Sequence, residues 1–158
     1  MLSVHSEDVA RFQKPIEELF TIALENAKKR VEYEIKITKI KEVEYFFVFT
    51  DSFFSGTIFY ELKERNLLGE YGVLIAFPTR HTTIIYQIND VKAIEAVNTL
   101  TPMVHKLYHQ GPGSNNSNLY WFNKETLIDL PINREENRSI FTPSSEFVEL
   151  LNKLAEPK

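Results

Sequence analysis

The period of the apolar and polar positions along this chain changes several times, and each change marks an element. Between Tyr71 and Ile88 two apolar runs, Gly72–Phe77 and Thr82–Ile88, flank the connection Pro78-Thr79-Arg80-His81. Val73, Ile75, Ile84 and Tyr86 suit the pleated, half-buried surface of a strand. Pro78 has no amide proton to give to a ladder, so pairing is expected to stop there and the chain to turn. The stretch reads as a central β-hairpin with an arginine and a histidine at its tip.

The segments before it follow the same logic. Residues 1–13 read as an arm or as a first helical turn or two. Pro15 then fits the first position of a helix that carries Ile16, Leu19, Phe20, Ala23 and Ala27 on one face and the basic run Lys28-Lys29-Arg30 at its end. In Val31–Thr38 the apolar Val31, Tyr33, Ile35 and Ile37 alternate with Glu32, Glu34 and Lys36, which predicts a strand with one wet side. Lys39–Glu42 turns it into Val43–Thr50, where alternation is lost, as for a strand covered on both faces. Asp51 or Ser52 is placed to cap a helix reaching about Asn66. Gly56 inside that helix costs roughly 1 kcal/mol against alanine, which implies a close helix–sheet approach.

After the central hairpin, Asn89-Asp90 is expected to cap a helix striped by Ile94, Val97, Val104 and Tyr108. Pro102 is expected to kink or split it. Gly111–Asn118 is a glycine- and asparagine-rich loop with nothing to bury, hence mobile and accessible. A hairpin follows, Leu119–Phe122 against Thr126–Leu130, turning at Asn123-Lys124-Glu125. Ile132–Phe141 looks irregular and polar. Thr142-Pro143 opens a last helix with Phe147, Leu150, Leu151 and Leu154 on one side. Hairpins interleaved with helices define an α+β fold: a largely antiparallel sheet of three hairpins and four helices, the helices mainly on one face, in one domain over residues 1–158.

Within this order, FPTRH, TTIIYQI and NLYWF carry a resemblance to an uncharacterised bacterial family of unknown function. In that family a helix leads to a strand ending in Pro-x-Arg, then an apolar strand, a helix and a Leu-Tyr-aromatic strand. The resemblance covers Asp51–Phe122. It differs at His81, where the family pattern would place an aspartate. It implies the fold and no activity.

Composition narrows the function classes. Hydrophobic residues make up 43% and charged residues 25% of the chain, a globular balance. Eighteen basic against 22 acidic residues leave a net charge of −4, poorly suited to a general binder of nucleic-acid backbones. With no cysteine there is neither a disulfide framework nor a thiolate site. The first residues lack the basic start and apolar run of a signal peptide, and no apolar stretch reaches the roughly 18 residues that cross a membrane. The expectation is a cytoplasmic protein with no membrane role.

The candidate chemistry is sparse. Arg80 and His81 together could form an anion or carboxylate site, from the guanidinium fork and a titratable imidazole, or could simply pair with a neighbour and close the turn. His105 and His109 share the i, i+4 spacing of metal ligands, but neither a third ligand nor H-E-x-x-H accompanies them, so no metal site is assigned. GPGSNN lacks the lysine-serine ending of a phosphate loop, and Ser55-Gly56 lacks the pattern of a nucleophile elbow. Tyr120 and Trp121 lie beside the loop, where an aromatic strand could anchor an interface or fill the core. With no nucleophile–base pair and no cofactor motif, the sequence reads as a non-enzymatic protein-interaction module of adaptor, immunity-protein or chaperone type, bound to another protein or to itself. The candidate contacts are Arg80, His81, Tyr120 and Trp121. The alternative is a small anionic-ligand binder or enzyme with its site around Arg80 and His81, and no cofactor is implied.

Overall fold

The computed structural model describes residues 9–111, 113–135 and 138–156. The chain divides after Val31 into two units. In the first, a 3-10 turn over Ala10–Phe12 precedes helix α1, Ile16–Arg30. Helix α1 begins directly behind Pro15, and its end is closed by the Val31 amide donating to the Ala27 carbonyl at 2.9 Å.

The second unit is built on one six-stranded antiparallel sheet of order β1-β2-β4-β3-β5-β6. Its strands are β1 Glu34–Ile40, β2 Val43–Phe49, β3 Val73–Thr79, β4 Thr82–Gln87, β5 Leu119–Asn123 and β6 Thr126–Leu130. The three hairpins of the sequence reading are all present, and the β3–β4 hairpin occupies the middle. The register places Ile75 opposite Ile85 and Tyr120, and Leu74 opposite Tyr86 and Trp121. Both central strands are therefore apolar on both faces, as the sequence pattern requires.

One face gathers Val43, Tyr45, Leu74, Ile84, Tyr86, Leu119 and Trp121 under helix α2, Ala93–Gln110, and helix α3, Ser145–Ala155. Ala93, Ala96, Val97, Leu100 and Val104 form the buried side of α2. Phe147 anchors α3 with no exposed surface, and the Ser144 hydroxyl caps that helix by accepting from the Phe147 amide at 3.3 Å. The other face gathers Val48, Val73, Ile75 and Ile85 beneath Ile58, Leu62 and Leu67. The fold is thus α+β, with α2 and α3 on one face. No helix among the described residues is long and apolar enough to cross a membrane.

Several local expectations are corrected. The segment after β2 is a 3-10 helix over Ser55–Glu61, followed by turns, rather than an α-helix to Asn66. Its polar groups are diverted locally: Ser52 accepts from the Phe54 amide at 3.3 Å, a short-range bond that competes with helical pairing. A Cβ on Gly56 would lie 3.4 Å from the Phe77 ring, ordinary contact, so this glycine is not demanded by crowding. Strand β1 starts at Glu34, and Ile37 is 61% exposed because β1 is an edge strand. Pairing does not end at Pro78. The ladder is irregular between Ala76 and Thr79 and resumes with Thr79 opposite Thr82, so the turn is only Arg80-His81.

Helix α2 runs through Pro102 unbroken, and Ile94 on its predicted stripe is 40% exposed. Residues read as irregular form a small second sheet, β7 Ile132–Glu135 against β8 Arg138–Phe141. Ile132 and Phe141 tie it to the first-face core, which is why this polar stretch is ordered.

Two observations in this core yield predictions. The hydroxyls of Tyr45 and Thr99 are buried and interact with each other, but neither makes a well-formed hydrogen bond. A buried hydroxyl without a well-formed hydrogen bond destabilises the fold, so Tyr45→Phe should leave stability unchanged or raise it by up to about 1 kcal/mol in a urea melt. A loss of more than that would show the phenol to be well bonded. The second concerns Tyr86, which sits 5.8 Å from Tyr45, ring to ring. Burial, then the Asp90 charge, then Tyr45 push its phenol well above its ordinary value near 10. The neutral phenol is favoured by the folded state, so its contribution is complete below pH 10 and lost as pH rises above it. The urea midpoint should therefore fall above about pH 10, and less steeply in Tyr86→Phe.

Candidate functional site

The tip of the central hairpin is held from two sides by backbone hydrogen bonds. The Arg80 amide donates to the Gly113 carbonyl at 2.9 Å, and the Arg80 carbonyl accepts from the Ser55 amide at 3.1 Å. Thr50 bonds the His81 carbonyl in the same way, at 3.1 Å. Arg80 and His81 then part company. The exposed Arg80 stem runs beside Gly113, where an added Cβ would lie 3.7 Å from it. His81 turns to the other side, its Nδ1 lying 3.1 Å from the Thr50 carbonyl oxygen and its ring 5.0 Å from that of Phe53. Because a carbonyl only accepts, that nitrogen carries a proton.

His81 lines an open groove of about 560 Å³ with Tyr33, Lys36, Phe49 and the acids Glu32, Glu34 and Asp51. Lys36 is already 3.0 Å from Glu34 and lies over the Phe49 ring at 5.5 Å. A small anion entering here would meet three carboxylates and a cation that is already paired. Arg80 is not among the residues that line the groove. The two residues read together in sequence do not converge on one ligand position.

The other two candidates are also separated. Trp121 is 6% exposed, packs 5.3 Å from the Phe147 ring, and donates its indole N–H to the Tyr71 carbonyl at 2.9 Å. In this position it is a core residue beneath α3, not an exposed contact. Tyr120 faces the opposite side of the sheet, 5.8 Å from Phe77, and burial, then the neighbouring Asp129 charge, raises its phenol. The Gly111–Asn118 loop is not loose. Besides the Gly113 bond, Asn115 donates to the Pro78 carbonyl at 3.0 Å and Asn116 to the Phe77 carbonyl at 3.1 Å. Polar composition had marked it as mobile, but its backbone extends the pairing of the central hairpin.

A different surface is concave and apolar. The 3-10 helix, the turn after it and the β5–β6 turn enclose a cleft of about 470 Å³ lined by Phe59, Tyr60, Leu62, Leu68 and Phe122, with Lys63, Lys124 and Glu125 at its polar rim. Gly69 and Gly72 form its floor. Gly72 has φ +86°, and a Cβ there would fall 2.1 Å from the Phe122 carbonyl oxygen, so only glycine lets β5 approach this closely. Phe59 stacks edge-on against Phe122 at 4.9 Å, while Tyr60 and Leu68 remain 45% and 36% exposed.

Next in sequence to the cleft residues Leu62 and Lys63, the buried Glu61 meets the exposed Arg65. Glu61, 7% exposed, pairs with Arg65 at 2.7 Å through the same carboxylate oxygen that accepts from Arg65 Nε. The guanidinium lies over the Tyr33 ring at 5.1 Å, and Tyr33 and Thr57 hydroxyls meet at 2.5 Å. Sequence reasoning missed this surface because it placed residues 51–66 on a regular helix. The adjacent pairs Phe53-Phe54 and Phe59-Tyr60 were the available signal, since one face of such a helix cannot bury all four.

His105 and His109 stack with ring centroids 4.3 Å apart on α2, and no group of three metal-ligating side chains occurs among the described residues. No protein-family model, no curated protein and no solved structure matches this chain.

The contrast at the hairpin tip can be tested by stability. His81→Ala removes a partly buried hydrogen bond and should cost about 1 kcal/mol, whereas the exposed Arg80→Ala should change stability by less than about 0.5 kcal/mol. Parallel urea melts measure both, and equal losses would contradict the divergence of the two side chains.

Proposed function

We propose that this protein is a cytoplasmic, non-enzymatic protein-interaction module whose binding surface is the cleft between the 3-10 helix and the β5–β6 turn. The observation that carries this reading is the exposure of Tyr60 and Leu68 beside the buried floor of a concave apolar surface. Tyrosine is a residue type favoured at interface centres, because its large ring is rigid and needs few rotamers fixed. The rim sets the chemistry of the partner. Lys63 and Lys124 flank the apolar floor, so the fitting occupant is a peptide segment with one large apolar side chain next to a carboxylate.

This moves the contact surface away from the strand that carries Trp121. It also leaves the anionic-ligand reading without support, since Arg80 and His81 diverge and the groove beside His81 is lined by acids. The acids would repel the ligand that the pair was read to attract.

Peptide selection against the immobilised full chain, followed by calorimetry on the selected peptides, tests the proposal. Selected sequences should share a Leu, Phe or Trp beside Asp or Glu. Tyr60→Ala and Leu68→Ser should each weaken their binding by about tenfold or more, the threshold of a significant interface residue. Lys63→Glu should weaken it further at low salt than at high salt. Selection of peptides without that pattern, or binding untouched by Tyr60→Ala in a folded variant, would overturn it.

A further inference from the structure

The sheet ends on β6, the strand next to the cleft, and that edge is open. Thr126, Leu127 and Asp129 are exposed, and β6 is last in the sheet order. The other edge strand, β1, carries Lys36 and Lys39, which discourage the addition of a further strand. In β6 there is no lysine, no proline and no bulge, and its register against β5 runs unbroken from Asn123–Thr126 to Leu119–Leu130. The turn between them fixes which groups face outward. Lys124 and Glu125 have φ of 45° and 68°, the type I′ geometry of a two-residue hairpin. In such a hairpin the flanking pair exchanges both main-chain hydrogen bonds, and bonded pairs then alternate with unbonded ones. Asn123–Thr126, Trp121–Ile128 and Leu119–Leu130 are therefore the bonded pairs. The N–H and C=O of Leu127 and Asp129 point away from β5, and no main-chain partner takes them among the described residues.

We propose that the peptide segment received by the cleft adds to β6 as a further antiparallel strand. This rests on the cleft reading above and says how the segment lies. Leu127 stands opposite Phe122, on the face of the sheet that bears the cleft, and is 44% exposed. It carries the cleft's apolar surface out to the sheet edge, so a large apolar residue paired with Leu127 packs there. Two positions along on the same face is Asp129. The Asn118 side-chain amide lies 3.0 Å and 3.3 Å from its two oxygens, which orients the carboxylate but leaves its charge. No cation pairs with it among the described residues. A strand running antiparallel to β6 meets Asp129 first and Leu127 two residues later. Its sequence should then read lysine or arginine, any residue, large apolar residue, with the carboxylate of the earlier reading on the C-terminal side, toward Lys124. A second copy of this chain fits less well. Pairing β6 with itself about Leu127 sets Glu125 against Asp129, and about Ile128 it sets Leu127 against Asp129.

Calorimetry on the peptides selected against the immobilised full chain tests this, with backbone N-methylation as the probe. Methylating the peptide nitrogen of the residue that pairs with Leu127 or with Asp129 should weaken binding about tenfold or more. Methylating the residue between them, whose N–H points to solvent, should change it by less than about threefold. Asp129→Lys should weaken binding about tenfold, and a peptide with glutamate in place of its basic residue should recover it. Leu127→Lys, also at an exposed position, should weaken it about as much, and both variants should keep the wild-type circular-dichroism melt. Methylation without alternation, selected peptides with the basic residue on the other side of the apolar one, or a failed charge exchange in folded Asp129→Lys would each overturn strand addition, while Tyr60→Ala judges the cleft separately. Alternation with binding unmoved by Tyr60→Ala would sink the cleft reading and keep strand addition to β6. A chain that sediments as a dimer, but not as Asp129→Lys, would assign the edge to self-pairing and overturn the proposal.

Discussion

Burial of the β3–β4 hairpin on both faces is the constraint on which the second unit depends. Ile75 and Ile85 point to one layer and Leu74 and Ile84 to the other, all with no exposed surface. A strand in this position cannot alternate, and it cannot carry an unpaired polar group without a penalty. Thr83 is the one polar residue of β4 that is fully buried, and its hydroxyl donates to Ser55 at 3.1 Å. That bond fixes the start of the 3-10 helix against the sheet. The second face is therefore closed by a short, tight segment whose position follows from satisfying one buried hydroxyl.

How much of this was legible follows from where each signal resides. Side-chain periodicity marked the three hairpins, α2 and α3, because those elements bury a stripe or a face that the sequence must write out. It marked β2 as covered on both sides, and Tyr45 and Val48 do enter opposite clusters. Strand order lies outside periodicity, since β3 pairs with β5 across the whole of α2 in sequence. Backbone interactions leave no compositional trace either. The Gly111–Asn118 loop looked unattached because none of its side chains is apolar, yet it is fastened through main-chain groups of Gly113, Asn115 and Asn116. Every buried peptide group needs a partner whatever side chain it bears, and composition does not say which.

The same distinction explains the fate of the candidate residues. Arg80 and His81 are neighbours in sequence, but neighbouring residues at a two-residue turn project apart, and Thr50 takes one while Gly113 flanks the other. Tyr120 and Trp121 are separated by the strand's two-residue period, and the indole finds its partner in the Tyr71 carbonyl. Adjacency along the chain was a poor guide to adjacency in space for both pairs. The cleft residues show the reverse. Tyr60, Leu68 and Phe122 come from three separate segments, and nothing in their spacing links them.

What links them is the glycine floor. Gly69 and Gly72 bond each other's backbone, and a side chain on Gly72 would drive into the Phe122 carbonyl. The bare Gly72 lets β5 come in against β3, the bare Gly69 lets the chain close on Ile88, and together they leave a hollow where side chains would have filled the space. The aromatic walls then face a gap too shallow to close on itself and too apolar to be favourable in water. Phe59 and Phe122 satisfy part of that surface by packing on one another, but Tyr60 and Leu68 remain 45% and 36% exposed at the opening. An apolar hollow left in this way lowers its free energy only by receiving a side chain from elsewhere, which is the physical reason for reading it as a binding surface.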